Sequence, residues 1–293
     1  MRGHYLMWAP LQPGRARRGQ PPEAFARPVP DIVAQPTAAD REKIRAAAFE
    51  HLERMLRFAG QRVAEWDAIN HLANDAHPRF SDLFGPQIFA DVIKRGRELA
   101  PHAQMWVNEG NVLTAGNRYE KYHAAIQELI ALGAKPDGIG FMAHFREGEI
   151  TPPEEIYRRL ERFAALVPNL QLTELDIDTK DERLQADTMR DVLEIAFSHP
   201  AVSGIVMWQV WGQAADAKTL WRPDWSIKPA GQVWLDHVCK DWWTETTGAT
   251  GRDGRFATRG FLGDYEITVR AGARRATVKT QLTRGSTPSR VAL

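Results

Sequence analysis

The stretch Asn169-Leu-Gln-Leu-Thr-Glu-Leu-Asp-Ile-Asp178 decides how the chain is read. Leu170, Leu172, Leu175 and Ile177 make a short apolar run after a proline-terminated helical segment, the pattern of a strand buried on both faces, as strands of a parallel barrel are. A Glu inside such a run is costly unless it is paired or used, which makes Glu174 a candidate nucleophile at the strand tip. The ordinary alternative for this residue alone is a solvated carboxylate just past the strand end.

The neighbouring segments repeat the theme. Before the strand, Thr151-Pro-Pro-Glu154 reads as a capping box opening a helix through Ile156, Leu160, Phe163 and Val167. After it, 181–197 reads as a helix and 203–209 as a strand. Working back, strands are expected at 138–144, 103–108, 62–70 and 3–8, with helices at 118–132, 88–99 and from the Thr37 N-cap, whose box partner is Asp40. Residues 12–36, rich in Pro, Arg and Gly, read as a long irregular loop, and 221–238 as a closing loop and helix. Strand and helix alternate through six units counted from His4. This predicts a parallel α/β domain over 1–240. Beyond residue 240 the texture changes to period-two alternation at 263–269, 276–282 and 289–293, which predicts a small all-β module over 241–293.

With 293 residues, 43% hydrophobic and 26% charged, the chain can bury a sizeable core. Thirty-eight Lys and Arg against 37 Asp and Glu leave a formal charge of +1, which gives no field for nucleic acid or an anionic membrane. Cys239 is the one cysteine, so an internal disulfide and a cysteine-based zinc cluster are excluded, and the nine histidines lack metal-ligand spacing; no metal or cofactor is expected. No window reaches the roughly 18 apolar residues of a membrane span, and the apolar run at Met1 is too short for a secretion signal. Ten tryptophans suit a groove for the flat faces of sugar rings, although most large side chains of this kind fill cores.

In a parallel barrel the functional groups gather where strands end. Those positions here read Trp66-Asp-Ala-Ile-Asn-His71, Asn108-Glu-Gly-Asn111, Met142-Ala-His144, Thr173-Glu-Leu-Asp176 and Val206-Met-Trp208. In this order they resemble the family-10 glycoside hydrolases, the retaining endo-1,4-β-xylanases, from His4 to about Val238. The resemblance implies a (β/α)8 TIM barrel whose first two strands have no counterpart in this sequence, so that the chain is expected to be N-terminally truncated, to have a misassigned start, or to take the missing part from a partner. It also implies a secreted or periplasmic protein acting on a polysaccharide such as xylan. By the same similarity Glu174 would be the nucleophile, Asn70 would contact the sugar 2-hydroxyl, and His144 would bond the nucleophile. His4, Trp8, Asn108, Trp208 and Trp221 would line the sugar site.

Two positions depart from the family's pattern. His71 stands where the family carries its acid/base Glu, and Met142 where it carries Gln. An imidazole with an ordinary pKa of about 6.5 can still donate a proton near neutrality. Asp75 and Glu109 are the nearby carboxylates that could substitute, and each reads better as an exposed loop residue. The alternative function is a carbohydrate-binding protein that keeps the groove without turnover.

Overall fold

The computed structural model describes residues 1–11, 35–212, 217–285 and 289–292. The expected loop at 12–36 therefore lies almost wholly outside the described residues. The chain divides into two compact units, 1–230 and 231–293.

The first unit is built on parallel strands. In chain order these are β1 (Arg2–Trp8), β2 (Glu65–Asn70), β3 (Gln104–Gly110), β4 (Gly138–Met142), a short β5 (His144–Arg146), β6 (Leu170–Asp178) and β7 (Val202–Met207). Neighbours run β1-β2-β3-β4-β6, with β5 and β7 both pairing β6, and every one of these pairs is parallel. The expected single strand at 138–144 is thus two pieces separated at Ala143, and together they occupy one lane of six. Among the described residues β1 pairs only with β2, and β7 only with β6.

The sheet is nevertheless curled. Arg2 of β1 donates through Nη1 to Gln171 Oε1 of β6 at 2.9 Å, and Gln171 Nε2 donates to Glu65 Oε2 of β2 at 3.0 Å. These strands are three and four lanes apart along the sheet, so the bonds cross its concave interior, as in a barrel. Arg2 also pairs with the buried Asp67 and lies 4.8 Å from the centre of the Trp106 ring. The interior layer above is tight: a Cβ on Gly140 would lie 2.6 Å from Asn108 Oδ1 and 2.9 Å from Thr173 Cγ2. Glycine is needed there for close approach rather than for its dihedral freedom.

Helices cover the outer face. They are α1 (Ala38–Ala59), the single-turn α2 (Phe80–Phe84), α3 (Gln87–Leu99), α4 (Tyr119–Ala131), α5 (Pro153–Ala164) and α6 (Glu182–Ser198); a further helix, α7 (Pro229–Asp236), falls in sequence across the boundary of the two units. Each of the central ones buries one stripe at helical spacing: Ile88, Phe89, Val92 and Ile93 on α3, Tyr122, Ile126 and Leu129 on α4, and Ile156, Leu160 and Phe163 on α5. Full burial of such side chains contributes about 1.5 to 3 kcal/mol each. Phe163 ties the layers together, with its ring 5.1 Å from Phe141 of β4 and 5.5 Å from Tyr122 of α4. The Thr37–Asp40 capping box forms as expected. The one expected at Thr151 does not: α5 starts at Pro153, its N-cap is Pro152, and Thr151 Oγ1 is buried without a hydrogen-bond partner among the described residues. Two prolines at 152 and 153 fix the backbone of the helix start without a side-chain cap.

The second unit contains an antiparallel hairpin of β8 (Gly263–Ala271) and β9 (Arg274–Leu282) in continuous register from Gly263 opposite Leu282 to Ala271 opposite Arg274. The third strand expected at 289–293 is absent over the described residues 289–292; the Ser289 hydroxyl instead lies 3.0 Å from that of Thr280. Period two marks what a segment could do, and five residues at a chain end form a strand only if a neighbour offers a free edge.

Candidate active site

Glu174 projects from β6 in the layer above the tight Gly140 contact and is 8% exposed. One of its oxygens, Oε1, accepts from Asn108 Nδ2 at 3.2 Å. The other, Oε2, lies 3.1 Å from His144 Nε2. Asn108, fully buried in β3, also donates through Nδ2 to Asn70 Oδ1 at 3.0 Å, and its own Oδ1 accepts from the Thr173 hydroxyl at 2.7 Å. Register explains the meeting: Asn70 is the Cα partner of Asn108, and Asn108 the partner of Gly140, whose missing side chain leaves room for Asn108 to reach Glu174.

His144 begins β5 and stands between two carboxylates. Its Nδ1 is 3.0 Å from Asp176 Oδ2, an ion-pair contact out of line for a hydrogen bond, and Lys218 Nζ approaches the same oxygen at 3.4 Å. Burial works against the imidazolium, but Asp176 and Glu174 outweigh it and push the His144 pKa up to about 9. His144 is therefore a cation at neutral pH. Its ring meets Trp208 edge-on with centroids 5.6 Å apart, and Trp208 is about half exposed.

On the β1 side, His4 Nδ1 contacts Asp67 Oδ2 at 2.9 Å. That hydrogen bond raises the His4 pKa, burial opposes it, and the charges of Asp67 and Glu174 add to the rise. Trp8 packs edge-on against His71, ring centroids 4.4 Å apart. His71 follows β2 with a left-handed φ of 62°. Its Nδ1 lies 3.2 Å from Glu109 Oε1.

The structure thus brings Asn70, Asn108, His144, Glu174 and Trp208 into one chain of contacts, with Trp8 and His71 at the neighbouring strand ends and His4 further back, inside β1. Trp221 stands apart from that chain of contacts: it bridges antiparallel to Ile227 and donates its N–H to Val210 O at 3.0 Å, within the loop after β7. Asp75 is exposed and ion-paired to Lys121, as its sequence suggests. The expectation for Glu109 is overturned. It lies inside β3, which runs to Gly110 rather than stopping at Asn108, and its side chain has no exposure. The signal available was Arg118, nine residues on, which binds Glu109 Oε1 through Nη1 at 3.0 Å. Among the described residues no group of three His, Cys, Asp or Glu side chains is placed to hold a metal ion.

The sheet is a curled parallel α/β one, and its hydrogen-bonded carboxylate Glu174 lies inside β6, which runs on to Asp178, rather than at the expected strand tip. Residues 1–235 match Glycosyl hydrolase family 10, and the chain belongs to that family. It is 29% identical over 273 residues to the anti-sigma-I factor RsgI6 of Acetivibrio thermocellus, covering 92% of this chain and 32% of that protein. It is 29% identical over 195 residues to endo-1,4-beta-xylanase 1 of Arabidopsis thaliana, covering 65% of this chain and 20% of that protein. This chain therefore spans about a third or less of these relatives' length. Among solved structures, xylanase 10B of Thermotoga petrophila in complex with xylobiose superposes with a TM-score of 0.62 at 21% identity, covering 69% of this chain and 67% of that one. The family-10 structure from Paenibacillus barcinonensis gives 0.64 at 20% identity, covering 84% and 78%. At these identities the structural likeness bears on the fold, which is the family-10 barrel architecture followed by a C-terminal hairpin.

Proposed function

We propose that the chain is a retaining glycosidase domain acting on a β-1,4-xylan-like polysaccharide, with Glu174 as nucleophile and His71 in the place of the acid/base. The observation that carries this reading is the Glu174 carboxylate held from both sides, by Asn108 Nδ2 at 3.2 Å and His144 Nε2 at 3.1 Å. Two donors on separate oxygens fix the carboxylate's orientation, which is what attack on an anomeric carbon demands. A retaining reaction needs a second group about 5 to 5.5 Å away to protonate the leaving oxygen and then deprotonate water. His71 belongs to the strand end next to Asn70 and offers an imidazole for that exchange. Trp8 and Trp208 supply aromatic faces for sugar rings.

The test is hydrolysis of xylan and of an aryl xylobioside by the purified chain and by Glu174→Gln. Glu174→Gln should lower kcat/KM on both by about 10⁴ or more, since an amide does not form the covalent intermediate. Equal rates for the two proteins would refute the assignment. A second reading, a polysaccharide-binding domain without turnover, draws on His71 standing where a carboxylic acid is usual, and on the regulatory name of the RsgI6 relative. Retention on immobilised xylan with neither substrate cleaved would favour it.

A further inference from the structure

Glu109 is a fully buried carboxylate near the site, and the proposed reaction leaves it without a task. Its Oε2 accepts from the Ala73 N–H at 2.6 Å. Its Oε1 accepts from the Gly110 N–H at 2.8 Å and from Arg118 Nη1 at 3.0 Å, and faces His71 Nδ1 at 3.2 Å. A carboxylate only accepts hydrogen bonds, so the ring nitrogen that faces it must carry the hydrogen. This selects the Nδ1–H tautomer of neutral His71 and leaves the lone pair on Nε2. Among the described residues Nε2 has no hydrogen-bond partner, and it is not among the buried unpaired atoms, so it is reached from solvent. The rest of the residue is clamped as well. Its backbone N–H donates to Asn108 O at 2.8 Å, its φ is 62°, and its ring sits edge-on to Trp8. A residue with a Cβ is strained in the left-handed region and persists there only where its surroundings enforce it.

We propose that Glu109 is a positioning residue that makes His71 a histidine–carboxylate acid/base pair, with Nε2 as the atom that exchanges the proton. The inference rests on the glycosidase reading and adds to it the device by which a histidine takes over a carboxylic acid's work. In the first step the doubly protonated form of His71 gives its Nε2 proton to the glycosidic oxygen as that oxygen's bond to C1 breaks and a Glu174 oxygen bonds C1, which leaves the neutral Nδ1–H ring. In the second, neutral Nε2 takes a proton from water as the water oxygen bonds C1 and Glu174 leaves. Throughout, the Nδ1 hydrogen stays on the Glu109 bond, while Arg118 and the Gly110 N–H hold the same carboxylate oxygen and the Ala73 N–H holds the other. Full burial of the Glu109 carboxylate makes its orientation rigid, because its hydrogen bonds are made with the protein and not with water.

The test combines a spectroscopic and a kinetic readout on the whole chain. Nitrogen-15 NMR of the histidine rings, with His71 assigned by its loss in His71→Gly, should show neutral His71 protonated at Nδ1 and bare at Nε2. In Glu109→Gln the loss in kcat/KM on xylan should exceed the loss on an activated aryl xylobioside by about tenfold or more, because only the poor leaving group needs the proton. Glu109→Asp, which keeps the charge, should recover part of that ratio. An Nε2–H tautomer in the wild-type protein, or equal losses on both substrates in Glu109→Gln, would overturn the inference while leaving the glycosidase reading intact. A folded wild-type chain that cleaves neither substrate would overturn both.

Discussion

The His144 ring stands between its strand neighbour Asp176 and Glu174, with Nε2 3.1 Å from the Glu174 carboxylate, and its charge is what those two acids stabilise. A positive group between two negative ones lowers the repulsion that would otherwise separate Glu174 from Asp176 on the same strand. It also makes the site's stability depend on pH in a definite direction.

The His144 pKa is raised in the folded chain to about 9, above its ordinary 6.5. The stabilisation from its cation is therefore fully present below about pH 6.5 and is lost as pH rises through about 9. The loss should be on the order of 3 kcal/mol. Urea midpoints measured from pH 6 to 10 should fall more steeply for the wild-type chain than for His144→Gln. Parallel curves would show that the two carboxylates do not hold the charge.

Gly140→Ala should destabilise the first unit and damage the site together. The new Cβ would meet Asn108 Oδ1 at 2.6 Å and Thr173 Cγ2 at 2.9 Å, neither of which can retreat without losing the hydrogen bond between them. Overpacking of this kind costs about 1 to 3 kcal/mol. The readouts are a lowered Tm and lowered turnover in one protein; an unchanged Tm would mean that the interior layer yields more than its geometry indicates.

The alternation of strand and helix was legible because its signals are local and repeated. Glu174 could be singled out because a charge inside Leu172-Thr-Glu-Leu175 breaks an apolar run. Asn70, Asn108 and His144 needed their order along the chain as well as their type. The Glu109 misreading has a different cause: Asn108-Glu-Gly resembles a strand ending in a polar turn, and only the partners Arg118, Ala73 and His71 show why a charge is tolerated inside. Those partners come from two other segments, one after β2 and one after β3, so no short window of sequence holds them all. The interior bonds from Arg2 to Gln171 and from Gln171 to Glu65 were hidden for the same reason.

Asn108→Ala should cost both stability and rate. The change leaves the Thr173 hydroxyl without its acceptor, Asn70 Oδ1 without its donor, and Glu174 Oε1 without one of its two orienting groups. Each stranded buried polar group costs about 1 to 3 kcal/mol. Loss of one orienting bond to the carboxylate corresponds to about 10 to 10² in kcat/KM. The expected result is a lower urea midpoint with a fall in kcat on an aryl xylobioside. A fall in midpoint with full kcat would place Asn108 in the scaffold alone.

His71→Gly separates stability from chemistry at the position where the backbone is strained. Glycine adopts a φ of 62° without the steric cost a Cβ incurs, so removing the side chain gains back about 1 kcal/mol or more. Against this stands the lost ring contact with Trp8, of about 0.5 to 1.5 kcal/mol. Glu109 keeps its bonds from Ala73, Gly110 and Arg118, so no buried charge is stranded. The Tm should therefore change little, while kcat/KM on xylan falls by about 10² to 10⁴, the usual worth of general acid assistance. Across aryl xylobiosides of rising leaving-group pKa, the variant's rate should drop more steeply than the wild type's, because the departing oxygen must carry its own charge. A variant with wild-type dependence on the leaving group would show that the proton comes from elsewhere in the site.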